Sequence, residues 1–96
     1  MAAFVIADID VLDPTEYEEY KKLATDTPAK FGGRYLARGG AVQVWEGDWT
    51  PGRVVILEFP SLEQARAWYE SQEYGQAKAI RHRAARSRLI VVEGVS

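Results

Sequence analysis

The chain has 96 residues, 47% of them hydrophobic and 27% charged, with a net charge of −2 and no cysteine. That length holds one domain with one core, and the balance of apolar and charged residues excludes a disordered chain. The small net charge exerts no global pull towards nucleic acid or an anionic membrane. The lack of cysteine excludes disulfides, thiol nucleophiles and zinc–thiolate sites, and fits a reducing cytoplasm.

The first residues carry no basic stretch and meet an acid at Asp8, which is not the pattern of a signal peptide. No apolar run approaches the ~20 residues of a membrane span. Phe4 to Val11 reads as a strand, with Val5, Ala7, Ile9 and Val11 on one face and Phe4, Ile6, Asp8 and Asp10 on the other. A helix then opens on three agreeing signals: Asp13 as N-cap, Pro14 at the first helical position, and Glu16 completing a capping box. Tyr17, Tyr20, Leu23 and Ala24 recur in it at helical spacing, and Pro28 ends it. A short turn with Phe31 leads to Gly32-Gly33.

Arg34 to Arg38 reads as a short strand, and Gly39-Gly40 predicts a tight hairpin into a further strand, Val42 to Asp48. The turn Trp49-Thr50-Pro51-Gly52 precedes Val54 to Phe59, the most apolar strand, which Pro60 closes. Ser61 and Gln64 cap a second helix with Leu62, Ala65, Trp68 and Tyr69 on one face. A third helix, from about Glu73 to Ala85, turns Tyr74, Ala77, Ile80 and Ala84 inward, and Leu89 to Glu93 is the last strand.

The order predicts an α+β fold: a single domain over residues 1–96, built as a ferredoxin-like βαββαβ protomer with an antiparallel sheet and helices on one side. The sheet carries an anomaly. Val55, Leu57 and Phe59 are apolar on one parity and Val54 and Ile56 on the other. Phe4 with Ile6, and Ile90 with Val92 opposite Leu89 with Val91, repeat the pattern in the first and last strands. Helices on one side bury only one face, so the other would show water a broad apolar patch. A second copy packed on that face resolves the conflict.

The runs Gly32-Gly-Arg-Tyr-Leu-Ala-Arg-Gly-Gly40, Trp45-Glu-Gly-Asp-Trp49 and Val55-Ile-Leu-Glu-Phe-Pro-Ser61 carry a resemblance. Ala65-Arg-Ala-Trp-Tyr-Glu-Ser71, Glu73-Tyr74, Arg81 and Val92-Glu-Gly94 continue it over almost the whole chain. Together they resemble a bacterial family of short uncharacterised proteins, a domain of unknown function. The resemblance implies a homodimeric α+β barrel in which two protomers pack sheet against sheet. It also implies a relation, at the level of the fold, to cofactor-independent monooxygenases and other small dimeric-barrel enzymes. It implies no particular reaction and no cofactor.

His82, the one histidine, lies more than 90° around the third helix from the inward stripe, beside Lys78 and Arg86, where a solvated side chain is expected. Arg81 lies within about 45° of that stripe at 100° per residue. Arg38 ends a strand just before two glycines, where a ligand can approach the backbone. Arginine's planar fork suits a carboxylate, phosphate or enolate oxygen, which makes Arg38 and Arg81 the candidate ligand-binding residues. The competing reading pairs each with Glu46, Glu58 or Glu93 as a structural ion pair.

Asp8 with Asp10, and Glu46 with Asp48, share strand faces, a spacing that alternation supplies automatically, so no metal site is expected. Glu46 or Asp10 is the candidate proton acceptor if there is catalysis. Acids cluster from Asp8 to Glu19 and bases from Lys78 to Arg88, and these read as solvated faces that attract one another rather than as a nucleic-acid or membrane surface. No phosphate loop, nucleophile elbow or zincin motif is present. The functional expectation is a homodimer binding a small organic molecule with an anionic or enolisable group, with cofactor-free turnover as its extension. The alternative is a non-catalytic structural or interaction dimer in which the same arginines are structural.

Overall fold

Alternation along β1 (Ala3–Val11) decides the layering of the molecule. Ala3, Val5, Ala7 and Ile9 are buried beneath the helices, while Phe4, Ile6 and Asp8 on the opposite parity are half-buried and Asp10 is exposed. The computed structural model describes residues 1–95. The remaining elements are α1 (Pro14–Ala24), a 3-10 turn at Pro28–Phe31, β2 (Arg34–Arg38), β3 (Arg53–Phe59), α2 (Leu62–Tyr69), α3 (Gln72–Ala84) and β4 (Ala85–Glu93). The strands form one sheet in the order β2-β3-β1-β4, every neighbouring pair antiparallel. This is the expected ferredoxin-like α+β protomer.

The helix starts follow their caps. The Asp13 side chain accepts from the Glu16 amide at 3.2 Å and Ser61 accepts from the Gln64 amide at 3.2 Å. Ser71 caps α3 by accepting from the Tyr74 amide at 3.1 Å. The 3-10 turn ends on Gly32, whose φ of 79° needs a residue without a Cβ. The main core lies between the inner sheet face and the helices. In it Trp68 stacks 4.1 Å from the Tyr74 ring and 5.4 Å from Phe59, and its indole N–H donates to the buried Thr27 hydroxyl at 3.0 Å.

Two expectations are corrected. Val42 to Asp48 is not a strand: β2 pairs with β3, and residues 39–52 leave the sheet between them. β3 takes the place beside β2 because its alternating Val55, Leu57 and Phe59 bury far more apolar surface than Val42 and Val44 offer. The last strand begins at Ala85 rather than Leu89, because α3 runs straight into it and the Ala84 carbonyl accepts from the Leu12 and Asp13 amides at 2.8 and 2.9 Å. The outer sheet face is apolar as expected. Phe4, Ile6, Val54 and Ile56 are half-buried there, and Ile90 is 59% and Val92 47% exposed.

Candidate functional site

Between the inner sheet face and helices α1 and α3 lies a small cavity of about 40 Å³, walled by apolar residues such as Val5, Val55 and Leu89. Its polar lining is one-signed. Lys21, Arg38, Arg53 and Arg81 line it with Tyr17, Tyr20, Tyr35 and Tyr74, and no carboxylate does.

Each cation arrives from a different element. Arg81 follows Ala77 by four and precedes Ala84 by three, so it shares their buried face on α3 and is 3% exposed. Arg53 has the parity of Val55, Leu57 and Phe59, which turns it inward at the start of β3. Arg38 reaches the cavity through an irregularity in β2. Tyr35 faces Leu57 and Arg38 faces Val55, both inner-face partners, because the ladder shifts between Tyr35 and Ala37. In a regular strand two residues three apart would point to opposite faces.

The electrostatics are unusual. Arg81 Nη1 donates to the Ser87 hydroxyl at 2.7 Å, yet the buried Nε atoms of Arg81 and Arg53 have no hydrogen-bond partner. Among the described residues neither of these arginines forms a salt bridge, nor does Arg38, so the competing reading that paired Arg38 and Arg81 with Glu46, Glu58 or Glu93 is not what the structure has; Glu58 is taken by Arg34 at 2.7 Å. Arg38 donates to the Thr25 hydroxyl and lies 4.7 Å from the Tyr35 ring centroid. The Tyr20 and Tyr74 hydroxyls share a hydrogen bond of 2.9 Å. Burial pushes the Tyr20 hydroxyl well above the usual phenol range, reinforced by Tyr74. Burial also raises Tyr17 and Tyr35, opposed by Arg53 and Arg38 respectively. These hydroxyls therefore stay neutral, able to donate to an anion.

The structure brings Arg38 and Arg81 to the same cavity but not the candidate proton acceptors. Asp10 is exposed on the outer sheet face across from Arg86, and Glu46 is exposed in the segment between β2 and β3. His82 is exposed as expected, its pKa lowered by partial burial and then by the Arg81 and Lys78 charges. The acidic and basic blocks do attract one another, through Arg83–Glu16 at 2.6 Å and Arg88–Asp8 at 3.7 Å. Trp68 is core, whereas Trp45 and Trp49 are 85% and 54% exposed. Arg53 and the four tyrosines were not singled out from sequence. For Arg53 the signal was there, since it continues the parity of the most apolar strand. Among the described residues there is no cluster able to hold a metal ion, and no helix long and apolar enough to cross a membrane.

Comparison with known proteins shows the family and the fold. The model of the family described as "Domain of unknown function (DUF1330)" matches residues 2–95. No curated protein matches the chain in sequence. Among solved structures, the chain is similar to a protein of unknown function from Rhodopseudomonas palustris, with a TM-score of 0.77, 20% identity, and coverage of 99% of this chain and 83% of that one. It is similar to a dimeric ferredoxin-like protein of unknown function from Thermobifida fusca, at TM-score 0.67 and 17% identity over 96% and 90% of the two chains. A third likeness is to SnoaB, a cofactor-independent oxygenase from Streptomyces nogalater, at TM-score 0.66 and 9% identity over 99% and 94%.

Proposed function

The chain belongs to the DUF1330 family, and from that premise we propose that it is a homodimer binding a small organic anion, a carboxylate or enolate, in the cavity between its sheet and helices. One observation carries the reading. Arg38, Arg53 and Arg81 converge there beside Lys21; Glu18 answers Lys21 at 2.9 Å, but among the described residues no acid pairs with the three arginines, and two of their Nε atoms are buried without partners. A buried cation without a counter-charge is costly, and folds retain one where a ligand completes it. The arginines supply charge-assisted bonds to the oxyanion, the Tyr20 hydroxyl, kept neutral by burial, is a donor, and the apolar wall takes a short organic body.

Dimerisation rests on the apolar outer face, which a second copy covers, and the dimeric state of the Thermobifida fusca protein of the same fold supports it. Cofactor-free turnover, expected as the extension, finds no proton acceptor among the residues lining the cavity, so the reading here is binding of a carboxylate or of an enolate already formed. The SnoaB likeness is a precedent for the fold only. The absence of cysteine suits a cytoplasmic setting. Arg81's bond to Ser87 favours the second reading, a structural dimer with no ligand.

A thermal-shift panel of acetate, pyruvate, acetoacetate and benzoate, with the matching amides as neutral controls, tests the proposal. A bound anion at a hundred times its Kd adds about 2.7 kcal/mol, so at least one acid should raise the Tm while its amide does not. The response should vanish in Arg81→Met. Equal behaviour of acids and amides would refute the anion site.

A further inference from the structure

We propose that residues 41–49 form an arm that docks on the second copy of this chain, with Trp45 as its anchor. The inference rests on the dimer proposed above and goes beyond it. The connection between β2 and β3 runs from residue 39 to 52, where neighbouring antiparallel strands need about 2–5 residues. Every residue from Gly39 to Thr50 is exposed. Among the described residues, no backbone–backbone hydrogen bond holds residues 40–51 to the rest of the protein. Yet the segment is not composed like a solvent loop. Trp45 is 85% exposed, Trp49 54%, and Val42 and Val44 45% each. Apolar side chains grouped in this way mark a contact surface, and tryptophan is the residue most enriched at the energetic centres of interfaces.

The root of the arm gives its direction. The Asp8 carboxylate accepts from the Gly52 amide at 2.8 Å and from the Trp49 indole at 3.1 Å. Asp8 belongs to the outer sheet face, and Trp49 borders a hollow there with Ile6 and Ile90. The arm therefore leaves the protomer on the side a second copy covers. Half the segment, extended, reaches roughly 20 Å, about the width of a four-stranded sheet, so it can cross the neighbouring protomer. Charge agrees. The arm carries Glu46 and Asp48 and no base, while on the outer rim of the sheet Arg34 and Arg88 are paired with Glu58 and Asp8 and the exposed Arg86 is left to answer the arm's acids.

Fluorescence quenching in a Trp49→Phe background tests this, because Trp68 is buried and silent to acrylamide, leaving Trp45 as the responsive ring. Trp45 should be shielded in the dimer and become accessible as the protein is diluted through dissociation. Trp45→Ser should weaken dimerisation in sedimentation velocity by roughly tenfold or more, with the protomer's circular dichroism unchanged. A dimer in which Trp45 stays fully quenchable overturns the arm and leaves the dimer standing. Shielding that persists in the diluted monomer assigns the arm to its own protomer and overturns the proposal. A chain that is monomeric throughout overturns the arm and the dimer together.

Discussion

Arg81→Met separates a ligand-holding arginine from a structural one by the sign and size of its effect on stability. The side chain is 3% exposed, so its guanidinium is almost fully desolvated. Had it been half of a buried ion pair, removing it would strand a carboxylate and cost about 3–5 kcal/mol. No carboxylate lines the cavity. The visible loss is the bond to Ser87, about 1.5–3 kcal/mol for a charged donor, and Ser87 is half-buried and can turn to other partners. Against it stands the desolvation of an uncompensated cation, itself several kcal/mol. Methionine keeps much of the apolar stem. The variant should therefore unfold within about 1 kcal/mol of the parent, or up to ~2 kcal/mol above it, as expected when a charge serves binding rather than folding. Urea titration resolves this, since an m-value of about 1–3 kcal/mol/M for a small domain turns a 3 kcal/mol loss into a midpoint shift of about 1 M or more. Arg38→Met is the parallel variant. Arg83→Met, which removes only an exposed bridge to Glu16, is the control and should cost about 0–1 kcal/mol. A loss of 3 kcal/mol or more in Arg81→Met, with no response to any anion, would refute the argument.

Ile56→Asp places a charge in the middle of the outer face, where the lone protomer tolerates it and a covering second copy does not. Light scattering should show the parent at twice the protomer mass and the variant as monomer; an unchanged dimer would remove that face from the interface. Tyr20→Phe tests the neutral tyrosines. Their raised folded pKa values mean stability is complete below about pH 10 and falls as pH rises beyond it, by up to about 1.4 kcal/mol per pH unit for each tyrosine that ionises only when unfolded. The variant should lose about 1 kcal/mol at neutral pH, through the Tyr74 bond, and then decline less steeply in alkali. Identical alkaline slopes would mean that Tyr20 ionises as easily folded as unfolded.

Local chemistry makes much of this protein legible in its sequence. Asp13, Ser61 and Pro14 mark helix starts because the groups they satisfy lie within one turn of the chain. Strand parity showed an apolar outer face, since side chains alternate whatever the partner. Helical spacing turned Arg81 inward, because residues 77, 81 and 84 share a face. What tertiary structure decided was everything that depends on two distant segments meeting. Val42 to Asp48 alternates as a strand should, but a strand exists only where a neighbour takes its hydrogen bonds, and β3 claimed the place beside β2. Parity alone would set Tyr35 and Arg38 on opposite faces; the shift in the β2 ladder, visible only against β3, brings both inward. Of the acids that could have paired with the arginines, Glu46 is exposed between β2 and β3 and Glu58 is taken by Arg34, while the proton-acceptor candidate Asp10 is exposed on the outer face. Whether a charge is paired depends on three-dimensional distance and burial, and neither is a property of the residue's own stretch of chain.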